Sequence, residues 1–135
     1  MPGGLTQREL WQERIKPFRR EWLSEEIKRG KHEESITLLT RMITASPDQA
    51  DLVTARGEVY RLRAKDGDLD AAMADYQAAT MFGGAPPETH RGLAMIFRQR
   101  NQNGEARASF ERYIEAAPDA PDIPMIKSYL EELSK

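Results

Sequence analysis

The stretch from Pro87 to Ala120, PETHRGLAMIFRQRNQNGEARASFERYIEAAPDA, decides the fold of this chain. Its apolar residues recur at the three- and four-residue steps that place side chains on one face of an α-helix. Small residues at Ala94 and Ala106 would let two such helices approach each other closely. The stretch therefore predicts a pair of short helices, with apolar stripes formed by Leu93 and Phe97 and by Phe110, Tyr113 and Ile114.

The same stretch fits a frame in which W-x₂-L-G-x₂-Y is followed by A-x₃-F and a closing proline. The first motif is occupied by His90, Leu93, Ala94 and Phe97, the second by Ala106 and Phe110, and the proline is Pro118. This pattern resembles the tetratricopeptide repeat, whose period is 34 residues. The resemblance implies a right-handed superhelix of antiparallel helix pairs. It also implies a concave groove, lined by the first helix of each pair, that binds peptide segments or partner helices.

A second repeat is predicted at about residues 50–86. Gly57, Tyr60 and Tyr76 match the frame, but three extra residues lie between Tyr60 and Gly67. An added helical turn or a longer polar loop would accommodate them.

A divergent first repeat is predicted at about residues 16–49, and the third at 87–120. In the first repeat, Arg19 and Glu26 occupy positions where large apolar residues are usual. Terminal repeats are commonly atypical because one of their faces has no neighbouring repeat.

Both ends of the chain are predicted to be helical. Residues 6–29 form an N-terminal helix or helices that include the first helix of repeat 1, with a capping-box match at Thr6 and an interruption at Pro17. Trp11 and Trp22 are expected in the core. A capping helix is expected at about 122–134, with Asp122 as its N-cap, and its apolar stripe (Ile126, Tyr129, Leu130 and Leu133) would cover the third repeat. The predicted fold is thus an all-α α-solenoid of about three repeats in a single domain, 1–135.

Composition excludes several classes of protein. Apolar residues make up 39% of the chain and charged residues 31%, and the net charge is −2, so no general attraction to nucleic acid or to an anionic membrane follows. No apolar run approaches the roughly 18 residues of a membrane-spanning helix. There is no cysteine, so disulfides and thiolate chemistry are excluded. The compartment is left open: cytoplasmic, or periplasmic if a signal segment has been removed.

Catalytic and metal-binding motifs are not found in the sequence. His32-Glu33 begins an H-E-x-x-H pattern, but Ile36 stands where the second histidine is needed. The alternating acids from Asp66 to Asp70 lack the glycine and glutamate positions of a calcium loop, and are expected to be a charged turn. His90 holds a packing position of the repeat. We therefore expect a protein that is not an enzyme and has no cofactor or metal.

The expected function is that of an interaction scaffold for another protein or peptide. The alternative is a structural subunit or appended domain of a larger assembly, such as a homodimer, an envelope or secretion complex, or a multidomain enzyme. The groove is predicted to be lined by Arg20, Ser24, Lys28, Thr54, Glu58, Arg61, Arg91, Met95 and Arg98.

Basic residues outnumber the single acid in that set, which favours an acidic partner segment. The competing interpretation is that these arginines are solvated or paired with Glu58 and Glu88. The groove helices carry no asparagine before Asn101, which disfavours the lysine–asparagine arrangement of the best-known carboxylate-binding members of the family.

Overall fold

Helices account for all the regular structure of the part of the chain that the computed structural model describes, residues 18–135. The predicted all-α class is confirmed in that range. The expectations for Thr6, Trp11 and Pro17 lie outside the described residues. The helices are α1 (Arg19–Lys28), α2 (His32–Ala45), α3 (Ala50–Arg63), α4 (Asp68–Phe82), α5 (Pro87–Gln99), α6 (Asn103–Ala116) and α7 (Ile123–Leu133).

Glycines lie at the turns within the first two helix pairs. Gly30, between α1 and α2, has a φ of 71°, and Gly67, between α3 and α4, has a φ of 84°. Side chains with a Cβ rarely adopt such angles, so glycine suits both turns. Both glycines fall where the repeat frame places the turn.

The three extra residues of the middle repeat are distributed over the whole helix pair. Measured from Tyr60 and Phe97, which share a frame position, α3 ends one residue later than α5. The turn at 64–67 is one residue longer than the turn at 100–102, and α4 has one more residue before its first buried alanine than α6 has. Neither an added helical turn nor a longer loop alone accounts for them.

Packing between the helices produces three buried clusters along the stack. The closest pairs are α3 with α4 and α5 with α6, while α1 and α5 both pack against α3. The clusters consist of Leu23, Leu39, Leu52, Ala55 and Val59; of Ala72, Met73, Tyr76, Leu93 and Ile96; and of Ala94, Ala106, Phe110, Tyr113, Ile123 and Ile126.

Helix α7 covers the end of the stack with an apolar face. Ile126 is completely buried, and Tyr129, Leu130 and Leu133 pack against the same cluster. The rings of Phe110 and Tyr129 lie 5.7 Å apart between centroids. Asp122 holds the N-cap position, but its side chain makes no capping hydrogen bond to the helix.

Two charged residues are buried in the divergent first repeat. Arg19 donates two hydrogen bonds to the carboxylate of Asp51, and Glu26 accepts hydrogen bonds from Arg29 (2.8 Å) and from the Ser35 hydroxyl (2.9 Å). A buried charge is tolerated when it is paired and hydrogen-bonded. These partners explain how α1 packs although it has charges at apolar frame positions.

Candidate functional site

A cavity of about 750 Å³ opens between α1, α3 and the start of α5. Leu23 and Ile27 of α1 form an apolar wall, and the small side chain of Ala55 on α3 leaves space at the floor. The buried hydroxyls of Thr54 and Thr89 hydrogen-bond to each other over 2.7 Å and join α3 to α5 beneath the cavity. The site thus combines an apolar wall with polar groups, as ligand sites commonly do.

The residues that the sequence assigned to a groove separate into two groups in the structure. Those that line the cavity are Arg20, Ser24, Lys28, Thr54, Glu58 and Arg91. Those that do not line it are Arg61, Met95 and Arg98.

Met95 and Arg98 lie against α7 instead. Met95 packs on the C-terminal cluster. The Arg98 guanidinium lies 4.2 Å from the centroid of the Tyr129 ring and 3.1 Å from a carboxylate oxygen of Glu132. Along the second half of α5, α7 therefore covers the face that the sequence assigned to the groove, whereas Arg91 near the start of α5 still lines the cavity.

Glu58 is the centre of a buried polar network below the cavity. Its carboxylate accepts a short hydrogen bond from the hydroxyl of Tyr76, a side chain that is completely buried. Arg61 donates to the same carboxylate over 3.3 Å and Arg91 over 3.5 Å. Burial and the nearby charge of Glu58 raise the pKa of Tyr76 above its usual range, so the phenol stays protonated as a donor.

Arg91 extends this network from α3 to the start of α7. It donates to Asp122 over 3.0 Å, and its guanidinium lies 5.4 Å from the centroid of the Tyr113 ring. Tyr113 donates to the other oxygen of Asp122 over 2.6 Å. Burial, together with that hydrogen bond, raises the pKa of Tyr113 to about 12. Asp122 therefore ties α5, α6 and α7 together.

A second cavity, of about 650 Å³, lies beside the first. It is bounded by the segment between α6 and α7, including Pro118 and Pro121. Arg20, Glu88 and Arg91 line both cavities. The two cavities therefore adjoin, and these three side chains stand at their junction.

Comparison with protein families gives one result that bears on this arrangement. A model of the tetratricopeptide repeat matches residues 21–86 and again residues 85–121. The chain belongs to the tetratricopeptide repeat family. Tetratricopeptide repeats generally mediate interactions between proteins, and their domains are typically non-catalytic scaffolds. Searches of the curated proteins and of the solved structures found no significant match.

The groove of this tetratricopeptide domain contains two acids, Asp48 and Asp51, that the sequence analysis did not name, and Glu88, which it named only as an alternative partner of the groove arginines. Asp48, Asp51 and Glu88 line the first cavity together with Glu58, so its acids equal its basic residues Arg19, Arg20, Lys28 and Arg91 in number. Asp51 and Glu88 lie in the first turns of α3 and α5. Acids favour first turns because of the helix dipole, and that preference was the available signal.

Metal binding has no support within the described part of this tetratricopeptide domain. Residues 18–135 contain no cluster of three or more histidine, aspartate or glutamate side chains arranged to hold an ion. Of the acids expected to form a charged turn, Asp68 is buried, and the hydrogen bond from Arg63 lowers its pKa to about 2. His90 is half-buried, and burial together with the charge of Arg112 lowers its pKa.

Among the helices of residues 18–135, none combines the length and the apolar character required to cross a bilayer.

Proposed function

We propose that this tetratricopeptide domain is a non-catalytic scaffold that binds a segment of a partner protein along its two adjoining cavities. The observation that carries the proposal is their shared boundary at Arg20, Glu88 and Arg91, which makes one groove out of two cavities. Each cavity falls within the roughly 300–1,000 Å³ usual for ligand sites. The groove has an apolar wall for anchoring side chains and polar groups that can fix their orientation.

An acidic segment is the partner chemistry that the exposed charges favour. Arg20 and Lys28 are 68% and 70% exposed, and they lie on α1 about 12 Å apart at 1.5 Å per residue. Arg20 and Lys28 have ion-pair partners of their own, Glu88 and Glu25, but their side chains remain open to solvent. Asp51 and Glu58 instead pair with arginines that are 2% to 27% exposed. A partner that enters the groove therefore meets accessible cations on α1, and its carboxylates can pair with them.

Filling the first cavity tests this proposal. Ser24 is an exposed residue that lines the cavity, so Ser24→Trp places an indole inside it without changing the charge. Thr44→Trp is the matched control, because Thr44 is exposed on α2 and does not line the cavity. We expect affinity capture from the source cells to lose its specific partner with Ser24→Trp and to keep it with Thr44→Trp. Equal capture by both variants would contradict the proposal.

A structural subunit is a second candidate, which the exposed apolar end of α4 favours. Met81 is 85% exposed and Phe82 is 44% exposed. Such residues suit a permanent interface, which is more apolar than a transient one. The same experiment separates the two functions, because a subunit docked through Met81 and Phe82 would keep its partner when the cavity is filled.

A further inference from the structure

One ion pair crosses the groove. A guanidinium nitrogen of Arg20 on α1 lies 2.6 Å from a carboxylate oxygen of Glu88 on α5. These two helices belong to the first and third repeats, and each packs against α3 between them. Because both residues line both cavities, the pair stands at the point where one cavity passes into the other.

We infer that this ion pair, the Arg20–Glu88 clasp, is opened by the bound segment, and that an acidic side chain of the partner replaces Glu88 on Arg20. The inference rests on the proposed function and adds to it a gate and a contact residue. A segment that runs through both cavities must pass the side chains of the clasp. It therefore displaces them from each other.

Helix position determines which member of the clasp needs a new partner. Glu88 lies in the first turn of α5, where the positive end of the helix dipole stabilises a carboxylate. Arg20 lies in the first turn of α1, where the same effect disfavours a cation. When the clasp opens, Glu88 keeps a stabilising environment and Arg20 loses one. An acidic side chain of the partner then supplies a new anion beside Arg20.

The clasp differs from the fixed ion pairs beneath it in its exposure. Arg20 is 68% exposed, whereas Arg91 is 27% exposed and is held by both Glu58 and Asp122. Exposed ion pairs change an equilibrium constant by only about two- to fivefold, which is small enough for a ligand to overcome. The Arg91 contacts hold the walls in place while the clasp opens.

The test uses short extended peptides with a fluorescent label, one alternating leucine with glutamate and one alternating leucine with glutamine. Fluorescence anisotropy gives the affinity of each peptide for the full chain and for the variants Glu88→Gln, Arg20→Gln and Glu111→Gln. Glu111 is exposed on α6, so its variant controls for the change in net charge. Circular dichroism confirms that each variant is folded.

The two peptides separate opening of the clasp from simple electrostatics. Either Glu88→Gln or Arg20→Gln opens the clasp, so both should bind the glutamine peptide about two- to fivefold more tightly than the unmodified chain does. The glutamate peptide should gain affinity with Glu88→Gln, but with Arg20→Gln it should gain clearly less than the glutamine peptide does, because that variant also removes the contact. Glu111→Gln should change neither affinity by as much as twofold.

Three other results would overturn the inference. If the glutamine peptide binds equally well with and without the clasp, the pair is not a gate, although the groove function stands. If Arg20→Gln tightens the glutamate peptide by the same factor as the glutamine peptide, Arg20 is not the contact. If no variant binds either peptide, the clasp controls no binding of such segments. Failure of the groove function itself has a separate signature, which is that the Ser24→Trp variant still captures the partner from the source cells.

Discussion

The C-terminal cluster and the centre of the domain hold similar helix pairs together by different means. Around α6 and α7 an apolar cluster fills the interior, with Phe110 and Ile126 completely enclosed, and the hydrogen bond from Tyr113 to Asp122 lies beside it. Around α3, α4 and α5, the completely buried Tyr76 donates to Glu58, which also pairs with Arg91. When a buried apolar side chain is truncated, the free energy of unfolding falls in proportion to the apolar area that is no longer buried. A buried polar network instead depends on every member having its partner.

The largest effect is expected from removing the apolar end. A chain that stops after Asp122 keeps the carboxylate that pairs with Arg91 but lacks α7 and its buried Ile126. Since each large apolar side chain contributes about 1.5–3 kcal/mol when buried, we expect the free energy of unfolding to fall by about 4 kcal/mol or more. Urea unfolding followed by circular dichroism measures this loss.

Exposure of the uncovered cluster gives that prediction a second readout. Without α7, the ring of Phe110 loses its contact with Tyr129, and an apolar face is left open to solvent. The shortened chain should therefore self-associate in sedimentation experiments. A shortened chain that remains a monomer and unfolds at the same urea concentration would show that α7 does not stabilise the stack.

The spacing of apolar residues was enough to predict the C-terminal cluster. Phe110 on α6 and Ile126 on α7 each belong to a set of apolar residues spaced at helical steps. The face that each helix buries is therefore visible in the sequence. The polar centre leaves no such local trace, because Glu58 meets Tyr76 and Arg91 from 18 and 33 residues away. The repeat frame places the groove arginines near Glu58 and Glu88, so their pairing was one of two interpretations of the sequence, and the structure contains the pairs Arg61–Glu58, Arg91–Glu58 and Arg20–Glu88. Periodicity alone could not choose pairing over solvation.

The extent of the groove was harder to predict for a related reason. The repeat frame treats every first helix alike and so assigned Met95 and Arg98 to the groove. In the structure α7 packs on that side of α5, where Arg98 meets Glu132. The repeat frame identifies which side chains of each first helix lie on the groove face. It does not show that a further helix packs on that face in the last repeat. Thr54 on α3 and Arg91 near the start of α5, which α7 does not cover, do line the cavity.

A smaller effect is expected at Gly92, where α5 lies directly against the Tyr76 ring. A Cβ at this position would lie 2.2 Å from the Cζ atom of Tyr76, inside any allowed contact distance. Gly92→Ala must therefore move the ring and its hydroxyl away from Glu58. We expect a loss of about 3 kcal/mol, at the upper end of the usual range for overpacking. Thermal unfolding measures it.

Gly104 supplies the matched control for that substitution. It lies in the first turn of α6, and a Cβ there would meet no atom within 4 Å. Gly104→Ala should therefore leave stability unchanged or raise it by up to about 1 kcal/mol, because alanine favours helix more than glycine does. If both alanine variants behave alike, the close approach of Tyr76 to α5 does not limit the packing.

The smallest of the predicted losses of stability, expected from Glu58→Gln, decides whether charge or hydrogen bonding holds the centre together. The amide keeps an acceptor for Tyr76 but removes the charge shared by Arg61 and Arg91. These arginines are 20% and 27% exposed, so we expect a loss of about 2 kcal/mol, below the 3–5 kcal/mol of a fully buried pair. Tyr76→Phe removes only the hydroxyl. If Glu58→Gln costs no more than Tyr76→Phe, and the double variant no more than either, the hydrogen bond is the main contact and the arginines contribute little.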